Sequence, residues 1–172
     1  MRLTNGVETD ASLVGPAEAP IKLVWGHGLG SQDPELRTRF NDGASNVTFS
    51  AMEEAGARLV CYDARGHGAS HGWETEAEAD RDQFSWPHLA RDMARVASQY
   101  GLDSVVVGGS SMGSASALYT ALQQQEAGVR VAGLLLVRPP TAWGERLARR
   151  PQLLQAASDL RTAKGSCQYQ IM

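Results

Sequence analysis

The sequence predicts an α/β domain built on a mostly parallel sheet with flanking helices. Four short apolar segments, bounded by turn-forming residues, alternate with segments of helical periodicity or composition. The apolar segments are largely continuous rather than alternating with polar residues, which is typical of buried strands in a parallel sheet. Three of the four end in loops of small residues and glycine. In such sheets ligands bind at the carboxyl ends of the strands, so these loops are the expected location of a site.

Composition and charge exclude several classes of protein. The 172 residues carry 16 Lys and Arg against 19 Asp and Glu, a net charge of −3, so the basic surface of a nucleic-acid-binding protein is missing. The longest apolar run, Val131–Val137, is far shorter than the roughly 20 residues that span a bilayer. Two cysteines cannot form a disulfide framework or a closed zinc site. We therefore expect a cytoplasmic protein with no nucleic-acid partner, no membrane partner and no metal.

The first half of the chain contains two of the predicted strands, and each leads into a glycine loop. Turn signals are frequent before the first strand, and an amphipathic segment that ends at a glycine lies before the second. In chain order these features are a hairpin about Asn5-Gly6 joining Arg2–Thr4 to Val7–Thr9, the strand Ile21–Trp25 with the loop Gly26–Ser31, a helix over 46–56 ended by Gly56, and the strand Ala57–Tyr62 with the loop Asp63–Ser70.

The second half contains the other two strands and the clearest helix. Ser85 is a capping residue, Pro87 lies in the first turn, and apolar residues then recur on one helical face until Gly101. The apolar residues of that face are Leu89, Met93, Val96, Ala97 and Tyr100. The remaining elements are the strand Ser104–Val107, a helix over 113–126 and a second buried strand, Val131–Val137.

The loop after the third predicted strand carries the pattern Gly-x-Ser-x-Gly over Gly109–Gly113. This pattern is typical of a nucleophile elbow, a sharp strand-to-helix turn that exposes a serine. The turn requires small residues two positions before and after the nucleophile. That selects Ser111, because choosing Ser110 would place Met112 at a flank. The Met112 N–H, at the start of the next helix, would face an oxyanion beside the serine, and Leu29 in the first glycine loop is the second candidate donor.

Three loop motifs together resemble the α/β-hydrolase superfamily, in its branch with a His-Gly oxyanion loop. They follow three successive strands in the family's order, and the middle one matches the family's D-x-R-G-H-G-x-S loop nearly letter for letter. The three motifs are His27–Gly30, Asp63–Ser70 and Gly109–Gly113. The resemblance covers residues 21–140. It implies a serine hydrolase, free of cofactors, that acts on a small acyl compound such as a carboxylic ester or a lactone.

The resemblance also implies roles for single residues. Ser111 would be the catalytic nucleophile and would form an acyl-enzyme, while the amides of Leu29 and Met112 would form the oxyanion hole. The loop that begins at Asp63 is chiefly architectural in the family. The supporting residues carried by the motifs are His27, Gly28, Asp63, Gly109 and Gly113.

The family's triad order of serine, acid and histidine is not completed in this chain. All four histidines, His27, His67, His71 and His88, precede Ser111. The strand Val131–Val137 is followed by no carboxylate, and the family's last two strands are missing. We therefore expect a partial hydrolase domain over 1–160 and an unstructured or unrelated tail over 161–172, with self-association through an unpaired sheet edge. An inactive or impaired truncated hydrolase is the alternative function.

A dinucleotide-binding oxidoreductase is a further alternative, from a different class. The loop Gly26–Ser31 resembles a degraded dinucleotide loop, and Asp63 ends the next strand, where a ribose-binding acid would lie. The spacing disagrees, because Asp63 lies 37 positions beyond Gly26 rather than about 20. This interpretation also leaves the serine elbow and the second glycine loop unexplained.

Overall fold

A computed structural model describes residues 8–29, 52, 54–70, 81–140, 151 and 155 of the chain. The chain divides into two units, Met1–Pro140 and Thr141–Met172. In the second unit the described residues are Pro151 and Gln155, which are helical and exposed. The sheet and the helices that flank it belong to the first unit.

In the described part of the chain, five strands form one sheet, namely β1 (Ala11–Val14), β2 (Lys22–Gly26), β3 (Arg58–Tyr62), β4 (Ser104–Ser110) and β5 (Arg130–Val137). In space they lie in the order β1-β3-β2-β4-β5. β1 pairs antiparallel with β3, and the other three pairings are parallel. The predicted α/β fold with a mostly parallel sheet is therefore confirmed.

The described helices of this unit are a 3₁₀ helix (Arg81–Phe84), α1 (Trp86–Gln99), α2 (Met112–Leu122) and α3 (Gln124–Ala127). Ser85 occupies the N-cap position of α1, but its hydroxyl bonds to His88 Nδ1 at 3.1 Å rather than to a backbone N–H. Gly101 follows α1 with φ +67°, and the Leu102 N–H donates to the Ala97 carbonyl at 3.0 Å. This bond closes the last turn as a glycine C-cap does, so the predicted end of the helix is confirmed.

Most of the helix predicted over 46–56 lies outside the described residues. Met52 and Glu54 are helical, and Gly56 has φ +71°. The Ala57 N–H donates to the Met52 carbonyl at 2.9 Å, which is the same glycine-based closure. The end of this helix therefore lies where the sequence predicts it.

β1 is a strand that the sequence analysis did not predict. The proposed hairpin about Asn5-Gly6 lies largely outside the described residues, and its second arm, Val7–Thr9, ends before β1 begins. Ala11 to Val14 pair in antiparallel register with Tyr62 to Leu59 of β3. A strand of four residues is too short to show a period, so only its partner identifies it.

β5 forms where it was predicted, but the expectation that it is buried was wrong. It lies at the edge of the sheet, and its residues alternate between exposed and half-buried along most of its length. Leu134 is 45% exposed. A continuous apolar run indicates that both faces of a strand are apolar, but it does not determine whether the strand has a neighbour on each side. Among the described residues β5 has one neighbouring strand, β4.

The sheet separates two apolar clusters. The larger one joins alternate strand residues such as Val60 and Val107 to Met93 of α1 and Ala117 of α2. The smaller one, on the opposite face, contains Leu23, Trp25, Leu59 and Cys61. Cys61 is a buried free thiol. None of the helices in the described part of the chain is long and apolar enough to cross a membrane.

Candidate active site

Ser111 occupies the sharp turn between β4 and α2. Its φ is +48° and its ψ is −105°, a backbone conformation that residues with a side chain rarely adopt. Such conformations persist only where the surrounding structure enforces them, and they cluster at functional sites. Ser111 is half-buried, whereas the neighbouring Ser110 is 5% exposed at the end of β4. The turn therefore presents Ser111 and buries Ser110.

Close backbone packing beneath the turn requires glycine at the two flanking positions. A Cβ on Gly113 would overlap the carbonyl oxygen of Gly26 at the end of β2, and a Cβ on Gly109 would overlap the backbone of Gly113. The absence of these side chains lets the first turn of α2 lie directly against the ends of β2 and β4. This contact explains physically why the sequence has glycine on both sides of the serine.

The end of β5 is bonded to the same turn. The Ser111 N–H donates to the Val137 carbonyl at 2.9 Å. Ser114, which is fully buried, places its hydroxyl 2.5 Å from the Gly109 carbonyl oxygen and accepts the Val137 N–H at 3.1 Å. Ser114 thus ties β4 and β5 to α2. This role was not predicted from the sequence, in which its signal is a small hydroxyl residue directly after the second glycine of the pattern.

The loop after β2 lies beside this turn. The Gly113 N–H donates to the His27 carbonyl at 3.0 Å, which brings the start of the His27–Gly30 motif against the first turn of α2. Met112 is the first residue of α2, and Leu29 is 74% exposed. Within the described ranges, neither the Leu29 N–H nor the Met112 N–H donates a hydrogen bond. Neither amide is therefore paired with an acceptor among the described residues.

The His27 side chain joins the loop after β2 to the loop after β3. Its Nδ1 lies 2.7 Å from the Gly28 carbonyl oxygen, and its Nε2 accepts the Ala64 N–H at 3.0 Å. The ring also meets the His67 ring edge-on, with 5.0 Å between the ring centroids. His27 is therefore engaged by the loops around it.

The Asp63 side chain is used within its own loop. Asp63 is 2% exposed, and its carboxylate accepts the Ala69 N–H at 3.1 Å. Its carbonyl accepts the Ser70 hydroxyl at 2.6 Å. Gly68 has φ +52°, and a Cβ there would overlap the Asp63 carboxylate. These contacts fold the loop tightly on itself.

Arg65 fastens this loop to α1. Its guanidinium forms a two-point ion pair with Asp92, with Nε–Oδ2 and Nη2–Oδ1 distances of 2.6 and 2.8 Å, and it donates to the Gln83 carbonyl at 3.0 Å. Arg65 and Asp92 are 5% and 2% exposed. A buried pair of this geometry fixes the direction of both elements. Asp92 was not predicted as the partner of Arg65, from which it lies 27 residues away in the sequence.

The structure brings the serine turn and the two glycine loops together. Among the described residues, however, no general base is hydrogen-bonded to Ser111. Over residues 8–29, 54–70 and 81–140, no histidine or carboxylate hydrogen-bonds to the Ser111 hydroxyl. His88 lies on α1 and contacts Ser85 and Arg91. His71 lies outside the described residues. No group of three metal-ligating side chains occurs in the part of the chain that was described.

The chain is similar in sequence to known hydrolases. The model of the alpha/beta hydrolase fold family matches residues 40–164. A curated relative, the sn-1-specific diacylglycerol lipase ABHD11 of Xenopus laevis, is 25% identical over 132 residues, which are 77% of this chain and 36% of that protein. The chain therefore spans about a third of the length of this relative.

Solved structures share the fold at low sequence identity. A carboxylesterase structure from Nitrososphaera gargenis superposes with a TM-score of 0.68 at 16% identity, covering 100% of this chain and 59% of that one. The enzyme Est816, described as degrading N-acyl homoserine lactones, gives a TM-score of 0.60 at 20% identity, covering 91% of this chain and 54% of that one. At these identities the likeness is one of fold.

Proposed function

Since the chain belongs to the alpha/beta hydrolase fold family, we propose that it is a serine hydrolase that acts on carboxylic esters, lactones or related small acyl compounds. The observation that carries the proposal is the backbone of Ser111, with φ +48° in a turn from β4 into α2. Glycine packing and the bond to Val137 hold that turn in place. The names of the similar proteins, a lipase, a carboxylesterase and a lactone-degrading enzyme, agree with this class.

In the proposed reaction, the Ser111 hydroxyl oxygen attacks the substrate carbonyl carbon and forms a new C–O bond. The negative charge passes to the carbonyl oxygen, where the Leu29 and Met112 amides donate hydrogen bonds. A general base takes the serine proton and returns it to the leaving oxygen as the original C–O bond breaks. Water then attacks the acyl-serine ester and releases the acid.

An impaired hydrolase remains the second candidate function. It is favoured by the absence, among the described residues, of an imidazole hydrogen-bonded to the Ser111 hydroxyl. In triad enzymes stripped of a triad member, the oxyanion hole and substrate binding alone leave about 10³–10⁴-fold catalysis over water. This candidate therefore predicts slow turnover that still depends on the oxyanion donors.

Hydrolysis of p-nitrophenyl butyrate by the full chain tests the proposal and separates the two candidates. For the complete enzyme we expect a fast wild-type rate that Ser111→Ala lowers by orders of magnitude and that Ser110→Ala, a change at a buried strand position, retains. A slow wild-type rate that changes little in Ser111→Ala supports the impaired hydrolase, because the oxyanion hole and substrate binding remain. A fast wild-type rate that Ser111→Ala leaves unchanged would contradict both.

The dinucleotide-binding alternative is not supported by the environment of Asp63. A ribose-binding acid must present a free carboxylate at the sheet edge. Here the carboxylate is buried and accepts the Ala69 N–H of its own loop. Retention of the chain on a nicotinamide-type dye column would nevertheless revive this alternative.

A further inference from the structure

His27 is bonded to three segments of the proposed site at once. Its carbonyl accepts the Gly113 N–H at 3.0 Å, so the residue is fixed against the first turn of α2. Its ring Nε2 accepts the Ala64 N–H at 3.0 Å, and its ring Nδ1 lies 2.7 Å from the Gly28 carbonyl oxygen. One side chain therefore spans both glycine loops beside the nucleophile.

These two ring contacts specify the protonation state of His27. A backbone N–H can only donate, so the nitrogen that Ala64 contacts, Nε2, must present its lone pair. A neutral imidazole carries one proton, which then lies on Nδ1. The Gly28 carbonyl is an acceptor, so the Nδ1–H donates to it. Both contacts thus require the same tautomer, neutral and protonated at Nδ1.

The tautomer has a consequence for the Leu29 amide. The Gly28 carbonyl and the Leu29 N–H belong to one trans peptide, in which the two groups point in opposite directions. Because the His27 ring holds the carbonyl, the N–H is directed away from the ring. Within the described part of the chain this N–H donates to no acceptor. The ring therefore sets the direction of a free donor.

We propose that His27 is a positioning residue whose neutral, Nδ1-protonated ring orients the Leu29 amide as an oxyanion donor, and that protonation of this ring releases the loop. The inference rests on the proposed serine hydrolase function, because it assigns the Leu29 amide to that reaction. It goes beyond that function in making the oxyanion hole depend on the tautomer and charge of a side chain that is bonded to the loops around it.

Protonation affects His27 and its neighbour His67 differently. A proton on His27 Nε2 would face the Ala64 N–H, so two donors would oppose each other and that bond would be lost. His67 places its Nδ1 3.1 Å from the Arg65 carbonyl oxygen, so its Nδ1–H can donate whether or not Nε2 is protonated. His67 is the ionisable ring that faces His27 from the loop after β3. The first turn of α2, Met112–Ala115, contributes no ionisable side chain.

Two-bond ¹H–¹⁵N correlation spectra of the uniformly ¹⁵N-labelled chain test the assignment without any need for turnover. The spectra are recorded from about pH 8 to about pH 5, across the ordinary imidazole pKa of about 6.5. At about pH 8 we expect a neutral His27 ring that is protonated at Nδ1. As the pH falls, the chemical shifts of the Ala64 and Leu29 amides should change with the same pH midpoint as the His27 ring. An Nε2-protonated ring, or amides that do not follow it, would overturn the proposal.

The rate at which a fluorophosphonate labels Ser111 tests the consequence for reactivity. We expect His27→Ala to label about 10²–10³-fold more slowly, as for the loss of one oxyanion donor. The amide of Gln has a donor and an acceptor on one carbon, like the two nitrogens of imidazole, but it does not titrate. His27→Gln should therefore recover most of the rate and lose the step in its pH profile at the His27 midpoint.

The matched control is His67→Gln, which removes the neighbouring ring and should keep both the labelling rate and the pH step. Wild-type labelling in His27→Ala, or an unchanged pH step in His27→Gln, would overturn the proposal. A wild-type chain that is not labelled at any pH would instead contradict the proposed hydrolase function. In that case the spectra alone still decide the tautomer and its link to the Leu29 amide.

Discussion

Two non-glycine residues in the described chain have positive φ, and a hydrogen bond from one of them to the residue before the other brings them close together. Ser111 has φ +48° and Arg138 has φ +49°. The Ser111 N–H donates to the carbonyl of Val137, the residue directly before Arg138. A left-handed backbone costs a residue with a side chain about 1–2 kcal/mol relative to its preferred conformation. The structure therefore concentrates backbone strain where the proposed nucleophile lies.

Relief of this strain should raise stability at the expense of function. Glycine adopts positive φ without steric cost, so we expect Ser111→Gly to be more stable to urea than Ser111→Ala by about 1 kcal/mol. Both variants lack the hydroxyl, so the comparison isolates the backbone. Ser110→Gly, inside β4, should instead be less stable than Ser110→Ala. A Ser111→Gly variant that is less stable than Ser111→Ala would show that the turn is not strained.

Tyr62, at the end of β3, should make the fold sensitive to alkali. Burial raises the pKa of its phenol far above the usual range, and the Asp92 carboxylate raises it further, while Arg65 opposes the change. Because the pKa is higher in the folded state, stability is complete below the unfolded pKa of about 10 and falls as the pH rises above it. Tyr62→Phe should reduce this loss in unfolding measured against pH. Tyr119→Phe, on α2, is the control. A loss of stability at alkaline pH that is as large in Tyr62→Phe as in wild type would contradict this prediction.

Among the helices and strands, the contact between α2 and the sheet depends on the glycine at position 113, whereas the glycine at position 133 is not required for packing. A Cβ on Gly113 would overlap the backbone of Gly26, whereas a Cβ on Gly133 in β5 would lie 3.7 Å from a Val106 methyl, an ordinary contact. Backbone cannot give way as a flexible side chain does. Gly113→Ala should therefore separate α2 from β2.

We expect Gly113→Ala to lower the free energy of unfolding by about 1–3 kcal/mol or more, as overpacking does. Gly133→Ala should change it much less, because the added methyl makes only an ordinary contact with Val106. Urea denaturation of the two variants beside wild type measures the difference. Equal stabilities for the two alanine variants would mean that α2 does not lie as close to β2 as the structure has it.

The elements that the sequence predicts best are those whose signal is local. β2, β3 and β4 are continuous apolar runs before glycine loops, and α1 has a capping serine, one apolar face and a terminal glycine. β1 was missed because four residues show no period. The edge position of β5 was missed because a run of apolar residues does not reveal how many neighbours a strand has.

In the candidate site, too, the residues with a local sequence signal were predicted and those defined by distant partners were not. The Gly-x-Ser-x-Gly pattern indicates Ser111 because the turn geometry is encoded in five consecutive residues. The Arg65–Asp92 pair and the bond from Ala64 to the His27 ring join residues 27 and 37 positions apart. Such partners are set by how the loops meet after folding, so no local pattern indicates them.

Among the described residues of the molecule, β5 is a long edge strand with no charged residue between Arg130 and Arg138. Proteins usually protect edge strands with charge, proline or short length, because unpaired strand edges bind other strands. Arg130 begins β5 and Arg138 follows it, but the residues between them are apolar or glycine. We propose that this edge promotes self-association of the chain.

A charge placed on this edge should reduce the association. Leu134 in β5 is 45% exposed, and Leu122 at the end of α2 is 78% exposed. In light scattering over a range of concentrations, we expect the wild-type mass to rise with concentration, Leu134→Lys to reduce the rise, and Leu122→Lys to leave it unchanged. A wild-type chain that stays monomeric throughout, or an equal effect of both variants, would rule out the edge as the contact.

Mass spectrometry of peptides after treatment with a fluorophosphonate tests whether Ser111 is a reactive nucleophile. Attack by the serine oxygen on phosphorus expels fluoride and leaves a phosphonate ester at the reacting residue. We expect one adduct on Ser111, no adduct in Ser111→Ala, and retention of the adduct in Ser110→Ala. An adduct on another serine, or equal labelling of wild type and Ser111→Ala, would contradict this prediction.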